Sequence, residues 1–313
     1  MIEIYAHEYK VVSQKLIGKM LDKEITVEAF SQAVVHILEL LQNAEPKNPE
    51  FAAKRAEFYH LDGSLRQAGK LYKHVLELAP PEELKQQELD AIRRYCPMLL
   101  TTPKECFPLK DIIAVHHPDR PLIGYHLFWE DDYDFPDDYE PCDHEEIWVE
   151  YDPHQEVVMN VMTFFHSYVI ESKEAAIEAG ENNQRPIIRI EWGKHGSLLK
   201  GWEEIQIPMR EVSALEWIKE TYEHVQIGGR AADHPLKRFW PVGFEGTFAE
   251  YTDFSVPVDP LELLDRKPLM FKSHWVNAII FTQGLLYNFH PKMEWPERFI
   301  AAEQTQGVGF TRN

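Results

Sequence analysis

Basic residues are scarce in this chain. Its 313 residues carry 32 Lys and Arg against 52 Asp and Glu, a formal net charge of −20. A surface of that sign repels polyanions and anionic lipid, so nucleic acid is excluded as an expected partner. Cysteine is rare too. Cys96, Cys106 and Cys142 make an odd count with no Cys-x-x-Cys spacing, and neither a disulfide framework nor a structural zinc knuckle is expected. No apolar run approaches the roughly 20 residues of a membrane-spanning helix, so membrane insertion is not expected. The opening Met1-Ile2-Glu3-Ile4-Tyr5 has no basic leader-type segment, and a cytoplasmic location is the expectation. Also missing are Gly-rich phosphate loops, the Gly-x-Ser-x-Gly nucleophile elbow and His-Glu-x-x-His. Their absence removes the usual signatures of nucleotide binding, α/β-hydrolase chemistry and helical zinc proteases.

What is present suffices for a sizeable core: 44% apolar and 12% aromatic residues, on a length that suits two domains. Residues 1–93 read as a helical region, with apolar side chains three and four apart, as in Val34, Val35, Ile37, Leu38, Leu40 and Leu41. Within it, Ala56, Tyr59, Gly63, Ala68, Tyr72 and Pro80 are spaced like one tetratricopeptide unit, a helical hairpin. A single unit cannot bury its own face, so the hairpin is expected to pack on something else, and a protein partner through this region is one reading. From Tyr95 the texture changes to short apolar runs between turn residues, among them 122–129, 147–149, 157–165 and 187–192. The expectation is an α+β protein: an N-terminal helical region, then a β-sandwich with helical insertions over residues 94–313.

The strongest signal is electrostatic. Residues 130–156 hold thirteen carboxylates and no Lys or Arg. Charges this dense repel one another unless water or a cation screens them. If a strand begins near Asp143, alternation puts Asp143, Glu145, Ile147 and Val149 on one face and His144, Glu146 and Trp148 on the other. Carboxylates two apart on one strand face can reach one cation. Oxygen donors suit calcium, magnesium or manganese, and added imidazole moves the preference toward iron, manganese or zinc. His166 closes the run 157–165 and His195 sits in Gly193-Lys194-His195-Gly196, both at expected strand ends. The candidate metal ligands are Asp132, Asp143, Glu145, His166 and His195. His116-His117-Pro118-Asp119 reads as a turn.

Several of these segments together resemble a known family. Tyr125 to Asp132, a loop, then Cys142-Asp143-His144-Glu145-Glu146-Ile147-Trp148-Val149 is similar to the core of the necrosis-inducing-protein-like sandwich and of the related vacuolar-sorting-protein-like domains. Arg94 to Leu100, Glu105-Cys106-Phe107-Pro108 and Arg185 to Gly196 resemble that family's first strand, its Glu-x-Phe-x-Pro turn and its proline-led strand ending in Gly-x-His. The likeness covers about residues 94–200. It implies a sandwich with a cation site, in which Asp143 and Glu145 match the Asp-x-Glu of the family's Gly-His-Arg-His-Asp-Trp-Glu heptad, Asp131 or Asp132 the aspartate that precedes it, and His195 the late histidine. Glu140 and Cys142 stand where the heptad has histidines, and His144 replaces its tryptophan.

Three readings follow. The first is a divalent-metal-dependent enzyme acting on a small-molecule substrate by hydrolysis or dioxygen chemistry, with iron, manganese or zinc. The second is a binding module with a structural calcium or magnesium, recognising a lipid or sugar head group or a protein. The third is an acidic loop without metal.

Overall fold

The computed structural model describes residues 22–133, 142–229, 241–283 and 294–297, with Lys15, Gly18 and Lys19. Glu140, Asp233-His234-Pro235 and His290 lie outside the described residues. The first described helix is set by its cap: the Thr26 hydroxyl accepts the Ala29 amide (3.1 Å), and α1 runs Val27–Ala44. Val34, Leu38 and Leu41 recur at helical spacing and are buried with Phe51. Asn48 accepts the Glu50 amide (3.0 Å) to start α2 (Pro49–Leu61), with proline in its first turn. The chain turns at Gly63, whose φ of +73° suits glycine, into α3 (Leu65–Leu78). Ala52, Ala53 and Ala56 of α2 and Ala68 of α3 are buried, and such small side chains let paired helices approach closely.

The remaining elements are α4 (Gln86–Arg94), β1 (Met98–Thr101), β2 (Leu109–His116), β3 (Leu122–Trp129), β4 (Asp143–Asp152), β5 (Val157–Phe165), β6 (Tyr168–Glu171), α5 (Lys173–Glu181), β7 (Ile187–Ile190), β8 (Ser197–Leu198), α6 (Ala214–Gln226), α7 (Phe248–Tyr251), β9 (Val256–Val258), α8 (Pro260–Arg266), β10 (Met270–Lys272) and α9 (Val276–Thr282). The fold is therefore mixed α and β. Contacts divide the chain into two compact units, residues 1–80 with 277–291, and 81–276 with 292–313. In the first, Phe281 packs against Tyr72 (centroids 5.3 Å) and His60 (5.5 Å). A Cβ on Gly69 would lie 2.2 Å from the Phe281 ring, so this position requires glycine.

The second unit holds a six-stranded sheet, β10-β2-β3-β4-β5-β6, and a four-stranded sheet, β8-β7-β1-β9. Leu99, Ile188, Ile190 and Leu198 of the smaller sheet share one buried core with Ile112, Ile123, Leu127, Ile147 and Val161 of the larger. Strand β3 is buried along its whole length, because both of its faces are covered. Its inward side chains are Ile123, Tyr125, Leu127 and Trp129. Gly124, His126 and Phe128 alternate onto the outer face. Strand β4 opens at Asp143 and pairs antiparallel with β3 in the register Trp129↔Asp143, Leu127↔Glu145, His126↔Glu146. Asp143 and Glu145 thus lie on the core side with Ile147, and His144 and Glu146 on the outer side with Trp148. Among the described residues no helix is long and apolar enough to cross a membrane.

Candidate metal centre and its neighbouring ion clusters

Where β3 ends and β4 begins, the structure gathers buried charge. Asp131 and Asp132 are each 8% exposed, and Asp143 and Glu145 3%. Tyr133, one residue on, donates its amide to the Gly193 carbonyl (2.8 Å), which brings the loop 193–196 to the same end. Gly193 and His195 take φ values of +63° and +54°, and this sharp turn aims the His195 ring inward, flat against Trp129 (centroids 4.3 Å, 3° between planes).

Both ring nitrogens of His195 face carboxylates. Nδ1 is 2.9 Å from Asp143 Oδ2, and Nε2 is 3.4 Å from Glu105 Oε1. Glu105 is itself held by backbone: its Oε1 accepts the Cys106 (2.8 Å) and Phe107 (3.0 Å) amides, and its Oε2 the Gly193 amide (2.9 Å). Asp143 Oδ1 accepts the His144 amide (2.8 Å). Burial works against charge on His195, but the Glu105 carboxylate and the Asp143 hydrogen bond outweigh it and raise its pKa to about 10. Burial likewise opposes charge on Glu105, yet His195 and the Phe107 and Gly193 amides hold its carboxyl below the usual range. The ring is thus a fixed imidazolium between two carboxylates at neutral pH. With Nδ1 on Asp143 and Nε2 turned toward Glu105, the ring acts as an internal cation for this acidic sheet end.

His166 goes elsewhere. At the tip of the β5–β6 hairpin, with φ +45°, it sets Nε2 2.5 Å from Glu191 Oε2 and lies parallel to Trp217 (5.4 Å, 23°). Glu191 Oε1 accepts the Tyr251 hydroxyl (3.0 Å). Burial opposes charge on Glu191, but His166 outweighs it and keeps the carboxyl below its ordinary range. Of the five expected ligands, the structure therefore joins Asp143 to His195 directly and buries Asp132 and Glu145 at the same sheet end. It gives His166 a separate carboxylate.

A metal-sized grouping stands in the loops beside β2. His117 and Asp119 follow β2, His274 follows β10, and their ligand atoms all lie within 4.8 Å of one another. His274 Nε2 is 3.4 Å from Asp119 Oδ2, and the two imidazoles meet edge to face (5.3 Å). The parallel pairing of β10 with β2 brings these loops together, since Lys272 sits opposite His116. Partial burial, then the charges of Arg120 and His274, lower the His117 pKa to about 4. The ring is therefore neutral at pH 7, the form that ligates metal. Its Nδ1 accepts the Asp119 amide (3.1 Å), so capture through that nitrogen exchanges a backbone hydrogen bond for a coordinate bond. The turn is exposed, and water can take over the amide. Two imidazoles and one carboxylate can hold a divalent metal and leave positions open.

The sequence reading placed His117 and Asp119 in a turn and did not connect them to His274. The available signal was the His-His-Pro-Asp string, but its third member lies more than 150 residues away. No family model matches the chain, and no curated protein or solved structure matches it either.

Proposed function

We propose that the protein is a divalent-metal-dependent enzyme acting on a small molecule, with His117, Asp119 and His274 as the ligands. The observation that carries this reading is the closure of those three ligand atoms within 4.8 Å, from two neighbouring loops. A 2-His-1-carboxylate set suits iron, manganese or zinc. Its open positions admit water, whose pKa a bound metal lowers for hydrolysis, or dioxygen if the metal is iron. Elemental analysis of protein purified without an affinity tag tests the proposal. Stoichiometric iron, manganese or zinc that is lost in His117→Ala and His274→Ala supports it. Metal content unchanged in both variants sinks it.

A second reading is favoured by the sheet end. Glu105, Asp131, Asp132, Asp143 and Glu145 set five carboxylates there, against Lys194 and His195 among the described basic groups. In this reading the cluster takes a hard cation, calcium or magnesium, and the protein is a binding module for a lipid or sugar head group or a protein partner. The likeness of residues 94–200 to the necrosis-inducing-protein-like and vacuolar-sorting-protein-like sandwich supports it, with the two sheets as the two leaves. The tetratricopeptide-like hairpin is the proposed partner surface. A calcium- or magnesium-induced rise in Tm that disappears in Asp143→Asn/Glu145→Gln distinguishes this reading from the first.

A further inference from the structure

The outer face of β3 and β4 carries a cluster used by neither reading. His126, His144 and Glu146 are each 0% exposed, on a face otherwise built from Phe128, Trp148 and Trp295. His126 Nδ1 is 3.2 Å from His144 Nε2, and the rings lie nearly parallel (5.4 Å, 16°). On its other side, His126 Nε2 faces Glu146 Oε1 at 3.4 Å, and neither atom makes a hydrogen bond. Glu146 Oε2 accepts the Glu294 amide (3.2 Å), and Trp148 Nε1 donates to the Glu294 carbonyl (3.0 Å). Residues 294–295 therefore cover the cluster and bring the Glu294 carboxylate to the same face. Desolvation lowers the His126 pKa to about 3 and raises that of Glu146 well above its ordinary value, so both are neutral as they stand.

Two buried polar atoms facing each other without a hydrogen bond are costly to leave so. Their separation is informative. Ligands about 2.1 Å from a tetrahedral ion are about 3.4 Å apart, and zinc binds imidazole and carboxylate at that bond length. Glycine keeps the space in front of His126 open, because a Cβ at Gly124 would lie 3.2 Å from His126 Nε2, 3.5 Å from Trp148 and 3.6 Å from Trp295.

We propose that His126 Nε2 and Glu146 Oε1 form a buried transition-metal site on the outer face of the larger sheet, with Glu294 beside it and His144 as a positioning residue. His144 accepts the Nδ1 proton of His126, which fixes the tautomer that leaves the Nε2 lone pair for the ion. Glu146 as carboxylate would supply one negative charge to a bound dication, and the neighbouring Glu294 carboxylate a second. This site is independent of the exposed one, since it shares no ligand with it.

Zinc titration of the full chain carrying His117→Ala and His274→Ala tests it, because those changes remove the exposed group. The expected result is one Zn²⁺ per chain by calorimetry, with a rise in Tm. Two further substitutions in that background are expected to weaken the binding at least tenfold. Glu146→Gln removes the anionic ligand with little change of shape. Gly124→Ala keeps both ligand side chains and puts a methyl 3.2 Å from His126 Nε2, crowding the ion's place. The proposal is overturned if the parent of this series takes up no zinc at pH 7.5. It is equally overturned if uptake is the same in Glu146→Gln and Gly124→Ala, since the ion would then sit elsewhere, as at the acidic sheet end. The first result needs no variant at the site to fold.

Discussion

His195 and His126 are both wholly buried, both lie beside strand β4 and both face a carboxylate, yet their pKa values move in opposite directions, to about 10 and about 3. Burial is common to the two and cannot be the cause of the difference. What differs is that His195 faces two carboxylates and His126 one, and how each carboxylate is held. Glu105 accepts three backbone amides, which with His195 hold its carboxyl below the usual range, and Asp143 meets the other ring nitrogen. Glu146 accepts a single amide in a wall of tryptophan and phenylalanine, loses its charge, and leaves His126 neutral. Two carboxylates close to one ring, with backbone amides holding them, outweigh desolvation at His195, whereas at His126 desolvation prevails.

The sharpest way to break the contrast is to take one carboxylate from His195. Glu105→Gln or Asp143→Asn leaves a buried imidazolium half-compensated, and a loss of about 3 kcal/mol is expected, read from urea midpoints. A loss under about 1 kcal/mol in both variants would show that the ring is not charged in the folded state.

Titration gives the next effect. The folded pKa of His195 lies above its ordinary value of 6.5, so its contribution is complete below pH 6.5 and is lost as pH rises through about 10. In metal-free buffer the chain should therefore weaken progressively between about pH 7 and pH 10, and Glu105→Gln should flatten that limb. A parallel decline in the variant would assign the slope to other groups.

A smaller change is expected at the third pair. Tyr251→Phe removes the hydroxyl that donates to Glu191 Oε1, and leaving one oxygen of a buried carboxylate unmet should cost about 1–2 kcal/mol in thermal or chemical unfolding. The smallest stability effect belongs to the exposed group. His117→Ala should change stability by less than about 0.5 kcal/mol while reducing zinc or manganese affinity at least tenfold by calorimetry. That outcome would separate a ligand on a turn from a histidine that holds the fold.

Much of this architecture was legible locally. The division of Asp143 and Glu145 from His144 and Glu146 needed only the period of two and the point where β4 begins. The run 187–192 placed His195 just past a strand end, where the structure has it. What was not legible is pairing at a distance. Glu105 meets the loop of His195, and Glu191 meets His166, only after strands far apart in sequence align, and no local pattern carries that information. His126 went unremarked because it stands inside the apolar run 122–129, where a histidine looks like an interruption of a core strand. The order β10-β2-β3-β4-β5-β6, with its parallel β10–β2 edge, likewise depends on crossovers that short apolar runs do not specify.

The four residues Asp143 to Glu146 behave like two interleaved messages written on one ribbon, each reader seeing every second letter. Either message can be edited by substitution without touching the other. Insertion or deletion of one residue here would transpose them, sending Asp143 and Glu145 into the aromatic wall and His144 and Glu146 toward the imidazolium. A change of length in this stretch should therefore be costlier than any single substitution within it, because it moves all four side chains at once.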